Sequence, residues 1–351
     1  MAKVLMKGNE AFAESCIRAG CRFFSGYPIT PQTEVLEYLS WRMEEVGGQF
    51  IQTESELAGV NMVFGAASTG ARALTTSSGP GFSLKQEGIS YLCGSDLPAV
   101  IADVMRMGNA LGDIFQGQGD YWQLTRGGGH GDYRTIVLAP ASVQENADLG
   151  YISFDLAEKY RHPVIIASDA AIGQMVEPVE LPEMKEHSID YADWIAHPRQ
   201  EGEDKVIIRN VYYDMGEEPY VDYLRGKYAE ITEKEQRWEA VQTEDAEIVL
   251  VAYGISSRIC KSAVKQARAQ GIKLGLIRPI TLWPFPQKAF DALGSQLKGF
   301  IGVEMNILGQ MREDIVLACG NKYPVESYCE FSRVPSEEII IQRSTEMLGK
   351  Y

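Results

Sequence analysis

Glu56, Thr30 and Arg106 are the residues of this chain whose types and positions point to chemistry. Glu56 lies in Thr53-Glu54-Ser55-Glu56-Leu57-Ala58-Gly59, where a strand pattern gives way to a helix pattern. A carboxylate in a first helical turn is favoured by the helix dipole, so capping alone accounts for it. The sharper reading is an acid or acceptor at the C-terminal edge of a sheet, where open α/β sheets bind ligands. Thr30 belongs to Ser25-Gly26-Tyr27-Pro28-Ile29-Thr30-Pro31, between the apolar run Cys21–Phe24 and a helix expected over Gln32–Glu45. Pro28 and Pro31 fix two φ angles and push Tyr27 and Thr30 out of the helical region. Thr30 is then either an N-cap followed by Pro at the first helical position, or a hydroxyl held where an anion is favoured. Arg106 ends a buried strand in Val104-Met105-Arg106-Met107-Gly108-Asn109, where it can fork a carboxylate or make an ordinary surface pair.

Two further stretches stand beside these. Ser77-Ser78-Gly79-Pro80-Gly81 is a tight turn after another strand, unlike a P-loop or a G-x-G-x-x-G fingerprint. The glycine-rich segment Gly108–Tyr133 carries Asp113, Gln116 and His130. A loop of that length is uncommon unless functional. His130, in Gly127-Gly128-Gly129-His130-Gly131-Asp132, reads equally as a pocket group or a structural hydrogen bonder.

The elements that must position these residues alternate. From residue 3 to about 175, short β-rich runs are separated by helix patterns, which implies a doubly wound parallel sheet. A helix is expected from Ser142, opened by a capping box with Glu145, to about Tyr160. The pattern degrades over residues 181–244, read as a connecting segment with a charged helix from Tyr220 to Glu239. It resumes over residues 245–351 as a smaller α/β domain, with Tyr253–Ser257 as a loop and Arg278–Pro286 as a proline-stiffened loop.

Composition narrows the function. A chain of 351 residues is long enough for two domains. The net charge of −15 argues against nucleic acid and anionic membrane surfaces. No apolar run reaches the length of a membrane span and Met1-Ala2-Lys3 begins no signal core, so a cytoplasmic location is expected. The six cysteines form no C-x-x-C pair and the four histidines no ligand spacing, so no metal site is expected in this chain. No Gly-Asp-Gly followed by Asn-Asn occurs; Ser168-Asp169-Ala170-Ala171 comes nearest and lacks the glycines.

In this order, Gly8-Asn9-Glu10-Ala11, Gly26–Pro31, Glu54-Ser55-Glu56, Ser77–Gly81, Tyr253–Ser257 and Arg278–Pro286 resemble the α subunit of the 2-oxoacid:ferredoxin oxidoreductases. The resemblance covers essentially the whole chain. Gly127–Tyr133 and the stretch Leu111–Tyr121 make it most similar to the branched-chain (2-oxoisovalerate, 3-methyl-2-oxobutanoate) type. The 2-oxoglutarate type is expected to carry Pro-Ser-Thr-Gly where Met107–Leu111 stands. The resemblance implies a thiamine-diphosphate pyrimidine-binding domain over residues 1–180 and a transketolase-C-like domain over 245–351. It implies that Glu56 hydrogen-bonds the aminopyrimidine ring, and that Tyr27, Pro28, Ile29, Ser78, Gly79 and Pro80 line the cofactor. Thr30 and Arg106 would meet the substrate carboxylate, with Asp113, Gln116 and His130 on the substrate loop. It also implies a β subunit bringing the diphosphate motif and Mg2+, a γ subunit, and a ferredoxin-like δ subunit with iron–sulfur clusters. Coenzyme A would take the acyl group and ferredoxin the electrons. The alternatives are another 2-oxoacid (2-oxoglutarate, pyruvate or an aryl pyruvate), a non-catalytic docking subunit, or a stand-alone thiamine-dependent lyase.

Overall fold

The computed structural model of the chain describes residues 3–185, 195–196 and 208–351. Strand β1 (Val4–Lys7) leads into helix α1 (Gly8–Arg18). Gly8, the first residue of that helix, has no room for a side chain: a Cβ there would sit 1.9 Å from the carbonyl oxygen of Ile172. There follow β2 (Phe23–Gly26), α2 (Thr33–Glu45), β3 (Gln49–Gln52), α3 (Glu56–Ser68), β4 (Ala73–Ser77), α4 (Pro80–Gly94) and β5 (Val100–Met105). The glycine-rich segment contains α5 (Tyr121–Arg126) and runs on to β6 (Ile136–Leu138), α6 (Val143–Tyr160), β7 (Val164–Asp169), α7 (Ala170–Gln174) and β8 (Val176–Val179). β8 pairs antiparallel with β1, two strands that no periodicity announced.

Six of these strands form a parallel sheet in the order β3-β2-β4-β5-β7-β6. β5 and β7 are buried along their whole length, as apolar strands covered by helices on both faces must be. From β2 the chain crosses by α2 to β3 on one side; from neighbouring β4 it crosses by α4 to β5 on the other. The gap between the ends of β2 and β4 is therefore the topological switch point, where ligands bind in open α/β sheets. The loops Tyr27–Pro31 and Ser78–Gly79 flank it.

The rest of the described chain holds α8 (Val211–Met215), α9 (Glu217–Lys234), β9 (Trp238–Val241), β10 (Ile248–Val251), α10 (Gly254–Ala269), β11 (Leu274–Pro279) and β12 (Thr281–Trp283). It ends with α11 (Lys288–Asp291), β13 (Gly299–Glu304), α12 (Arg312–Ala318), β14 (Val325–Cys329) and α13 (Glu337–Lys350). The second sheet runs β14-β13-β10-β11-β9, parallel except for β9. Part of the expected connecting segment, residues 186–194 and 197–207, lies outside the described residues.

Several expectations are corrected. The charged helix ends at Lys234, and Trp238–Val241 is an edge strand instead of helix. Tyr253–Ser257 is no loop: α10 begins at Gly254. The middle of the expected Arg278–Pro286 loop, β12, pairs antiparallel with β6 and so extends the first sheet from the second half of the chain. Thr30 is not an N-cap, since α2 starts at Thr33 behind Gln32. Ser142 does cap α6, its hydroxyl accepting from the Glu145 amide at 3.1 Å, but the Glu145 carboxylate returns to the amide of Ala141 at 2.8 Å and not to Ser142.

The two sheets meet through buried polar groups. Gln118, fully buried, accepts from Ser256 Oγ at 2.9 Å and from the Met305 amide at 3.1 Å, and donates to the Tyr253 carbonyl at 3.1 Å. Asp169 caps two helices at once, accepting from Ile172 at the start of α7 and Ile255 at the start of α10, each at 3.0 Å. Burial raises its pKa to about 6, and those amide bonds oppose the rise. The residue nearest a diphosphate motif is thus a structural joint.

Candidate active site

The site is built from four loop ends. After β3, Ser55 caps α3 by accepting from the Ala58 amide at 3.2 Å, which puts Glu56 in the first helical position. Its side chain is 6% exposed and turned toward the Ser78–Gly81 turn. Among the described residues its carboxylate takes no hydrogen bond and no ion pair. A buried carboxylate without a partner in its own chain is expensive unless a ligand supplies one.

The turn after β4 is fitted closely around it. Gly79 has φ +49° and precedes Pro80, the first residue of α4. A Cβ on Gly81 would lie 2.3 Å from Ser77 Oγ and 2.4 Å from Glu56 Oε1. The Ser77 and Ser78 hydroxyls are buried without a partner. α4 thus begins at Pro80, and the stretch read as a loop is half helix. Because Glu56 Oε1 ends a movable side chain, Gly81→Ala should displace the carboxylate before it disturbs the fold. The expected result is thiamine diphosphate binding at least about tenfold weaker in the assembled complex, the scale of one hydrogen bond to a charged group. A cofactor titration giving unchanged affinity would remove Glu56 from the cofactor site.

Lys85, which sequence reasoning missed, lies beneath. It is fully buried on α4, donating to Thr75 Oγ1 at 2.9 Å and to the Glu56 carbonyl at 3.3 Å. Burial pushes its pKa down to about 7, opposed by the Glu56 charge. A lysine within Phe82-Ser83-Leu84-Lys85-Gln86 gives no hint of this in one dimension.

After β2, the loop is pinned from below. Gln32 donates to the Tyr27 carbonyl at 3.1 Å and accepts from Thr76 Oγ1 at 2.5 Å; Asn9 donates to the Pro31 carbonyl at 2.8 Å. Pro28 and Ile29 are half-buried, while Tyr27 and Thr30 face outward. After β5, Arg106 is 7% exposed and spans to this loop, donating through one terminal nitrogen to the Thr30 carbonyl at 2.8 Å and through the other to the Leu111 carbonyl. A guanidinium has five N–H groups, so three remain. Its Nε is buried without a partner. The structure therefore brings Glu56, the Tyr27–Thr30 loop, the Ser78–Pro80 turn and Arg106 together around one sheet edge.

The substrate-loop candidates divide. Arg106 bridges to Gln116, and the Gln116 side chain reaches Ser332 of the second sheet's unit at 3.5 Å. Asp113 folds on itself in an exposed turn, accepting from Ile114 at 2.7 Å. His130 is not brought to them. Gly128 and Gly129 pack against Gln86 and Ser90 of α4, leaving no space for side chains, and carry His130 into a separate cleft of about 810 Å³ with Tyr212, Tyr220 and Tyr228. His130 therefore lies apart from Arg106 and Gln116. A cleft of about 520 Å³ does open beside Arg106, between the Gly79–Pro80 turn, Met107–Ala110 and the second-unit loop Met305–Leu308 with Phe331. Among the described residues no helix is long and apolar enough to cross a membrane, and no three His, Cys, Asp or Glu residues group to hold a metal ion.

An unpartnered carboxylate at the switch point of a doubly wound sheet lies where open α/β sheets bind ligands. The family described as pyruvate flavodoxin/ferredoxin oxidoreductase, thiamine diphosphate-binding, matches residues 14–248, and pyruvate:ferredoxin oxidoreductase core domain II matches residues 246–337. The chain belongs to the 2-oxoacid:ferredoxin oxidoreductase family. It is 53% identical over 322 residues to ketoisovalerate oxidoreductase subunit VorB of Methanothermobacter marburgensis, covering 91% of each chain. It is 38% identical over 338 residues to 2-oxoglutarate synthase subunit KorA of Methanocaldococcus jannaschii, covering 90% of this chain and 91% of that one. A solved 2-oxoglutarate:ferredoxin oxidoreductase from Magnetococcus marinus, with 2-oxoglutarate, coenzyme A and succinyl-CoA bound, superposes with a TM-score of 0.87 at 25% identity. That likeness covers 99% of this chain, which spans 65% of the solved one. A split-gene transketolase, at 12% identity and a TM-score of 0.58, shares the fold alone.

Proposed function

We propose that this chain supplies the aminopyrimidine half of the thiamine diphosphate site in a complex that oxidatively decarboxylates 2-oxoisovalerate to an acyl-coenzyme A, reducing ferredoxin. The observation that carries this reading is Glu56, an unpartnered carboxylate wedged against a turn with no room for a Cβ. Thiamine diphosphate, when bound, supplies the carbanion nucleophile and electron sink for decarboxylation of a 2-oxoacid. Glu56 holds or moves a proton at a pyrimidine ring nitrogen. The Tyr27–Ile29 loop and the Ser78–Pro80 turn wall that ring, and their pinning by Gln32 and Asn9 fixes its orientation. Two Arg106 N–H groups hold the loop, and the remaining ones on its terminal nitrogens are left for the substrate carboxylate, with the exposed Thr30 next to it in the loop.

The cleft beside Arg106 supports a branched apolar side chain on that substrate. Its walls include Met107, Met305, Ile307, Leu308 and Phe331, and Asp120 is its only charged lining residue among the described ones. A second carboxylate, as on 2-oxoglutarate, finds no cation there. The VorB relative favours the same acid. This chain has no diphosphate motif, so a β subunit carrying the diphosphate and Mg2+ is proposed to complete the site. A γ subunit, an iron–sulfur δ subunit and coenzyme A as acyl acceptor complete the proposed complex. The two sheets' units are proposed as a pyrimidine-binding domain of residues 1–180 and a transketolase-C-like domain of residues 245–351, in the cytoplasm.

The test is anaerobic dye reduction by the chain co-expressed with its partner subunits, with thiamine diphosphate, Mg2+ and coenzyme A. Four acids are compared: 2-oxoisovalerate, 2-oxoglutarate, pyruvate and indolepyruvate. The highest kcat/KM is expected with 2-oxoisovalerate. A preference for 2-oxoglutarate would show that the apolar cleft does not select the substrate.

A further inference from the structure

β5 reads Val-Ile-Ala-Asp-Val-Met, and its one polar residue, Asp103, is fully buried. Neither of its oxygens meets an ordinary donor side chain, and Arg106, three residues on, spends its terminal nitrogens on the Thr30 and Leu111 carbonyls. The Gly79 amide faces Asp103 from the turn after β4 without completing a hydrogen bond, and it opposes the rise of the Asp103 pKa. A second acid, Asp120, reaches Asp103 from the N-cap position of α5, which it does not cap. One Asp120 oxygen accepts from Gln123 Nε2 at 2.5 Å; the other, buried and without a donor, lies within hydrogen-bonding reach of Asp103. Two carboxylates in that relation cannot both ionise, and the bond between them requires a proton.

We propose that Asp103 and Asp120 share one proton and act as a positioning pair that clasps the glycine-rich segment onto β5 and the Gly79 turn. The consequence follows from connectivity. Asp120 is two residues from Gln118, which pins the second sheet's unit, and the Arg106–Gln116 bridge lies in the same segment. One O–H···O bond therefore sets the Gly79 turn, the Arg106 loop and the mouth of the cleft between the two units in register. The charged and titratable groups around it are Arg106 at the end of β5 and Tyr253 before α10, whose phenol is pushed upward by burial first, then by Glu304, Asp169, Asp120 and Asp103. Burial first, then Asp120, raises the Asp103 pKa well above the carboxylate range. The Asp120 pKa, raised by burial, stands at about 6. Acids with raised pKa values favour the clasped state when protonated, so the clasp is lost as pH rises through the upper ionisation of the pair.

The positioning role rests on the reading of Arg106 and the Gly79 turn as site elements; the shared proton does not, and one measurement addresses it alone. Infrared spectra of the assembled complex at neutral pH should contain the carbonyl stretch of an un-ionised carboxylic acid. The wild-type-minus-variant difference spectra of both Asp103→Asn and Asp120→Asn should show that band as lost, while bands of Asp169 and Glu304 cancel. In the activity arm, Asp120→Ala should lower kcat/KM at least tenfold across the pH range. Asp120→Asn, whose amide donates at any pH, should lose less and should flatten the alkaline fall of the wild-type profile. A missing band in the wild type, or a band that survives both asparagine substitutions, overturns the shared proton. Band loss with the same alkaline fall in Asp120→Asn as in the wild type overturns the positioning role and leaves the proton.

Discussion

Glu56→Gln should leave the complex assembled and lower its turnover by roughly 10²-fold or more, the usual scale of lost acid–base assistance. Glutamine keeps the volume and one acceptor, so the close fit against Gly81 and Ser77 is preserved. The buried ammonium of Lys85 loses its nearest opposite charge, yet its bonds to Thr75 and to the Glu56 carbonyl remain. Cofactor affinity should therefore fall far less than kcat. That split separates a residue acting on the reacting ring from one that only shapes the pocket. Unchanged turnover in an intact complex would favour the docking-subunit alternative.

What the sequence disclosed about this site is what local chemistry dictates. Glu56 was legible because Ser55 caps a helix directly before it, and the turn at Gly79 because glycine and proline fix its backbone. The Tyr27–Pro31 loop was legible through its two prolines, although Gln32, not Thr30, carries the helix start. The illegible parts depend on partners far along the chain. Lys85 is a site residue only because Thr75 and the Glu56 carbonyl converge on it. Asp103 hides in an apolar strand until Asp120 is brought opposite, and Gln118 is unremarkable until Ser256, Tyr253 and Met305 surround it. The glycine run before His130 is a close packing against α4, which a flexible substrate loop would resemble in sequence. Strands of three or four residues such as β9 and β12 escaped because pairing, and not their own pattern, makes them strands.

These long-range partners explain how a half-site is kept rigid without a ligand. Two loop ends at the switch point are tied to residues distant in sequence: Tyr27 through Gln32 to Thr76, and Thr30 to Arg106. Preorganisation of this kind reduces the cost of ordering the site when cofactor and partner arrive.

Arg278→Met is expected to have the largest effect on stability. Arg278 is 2% exposed and stands next to last in β11 of the second sheet. It forks Glu145 at the start of α6 in the first unit through two bonds of 2.6 and 2.7 Å, and pairs across the strands with Glu239 at 2.9 Å. Removing it leaves Glu145 without its cation, a change that costs about 3–5 kcal/mol in fully buried pairs, while Glu239 keeps its pair with Lys261 at 2.7 Å. Both carboxylates keep about a third of their exposure, so a loss of roughly 2–4 kcal/mol is expected, once that figure is discounted for water. The loss should fall on the joint, since β12, three residues on, is the strand that the second half of the chain adds to the first sheet. Thermal unfolding should therefore begin earlier in the variant, by about 5 °C or more. Adding Glu145→Gln should recover part of the loss, because the amide still accepts from Ala141 and the uncompensated charge is gone. If the double variant is no more stable than Arg278→Met alone, the guanidinium contributes by packing and not by charge.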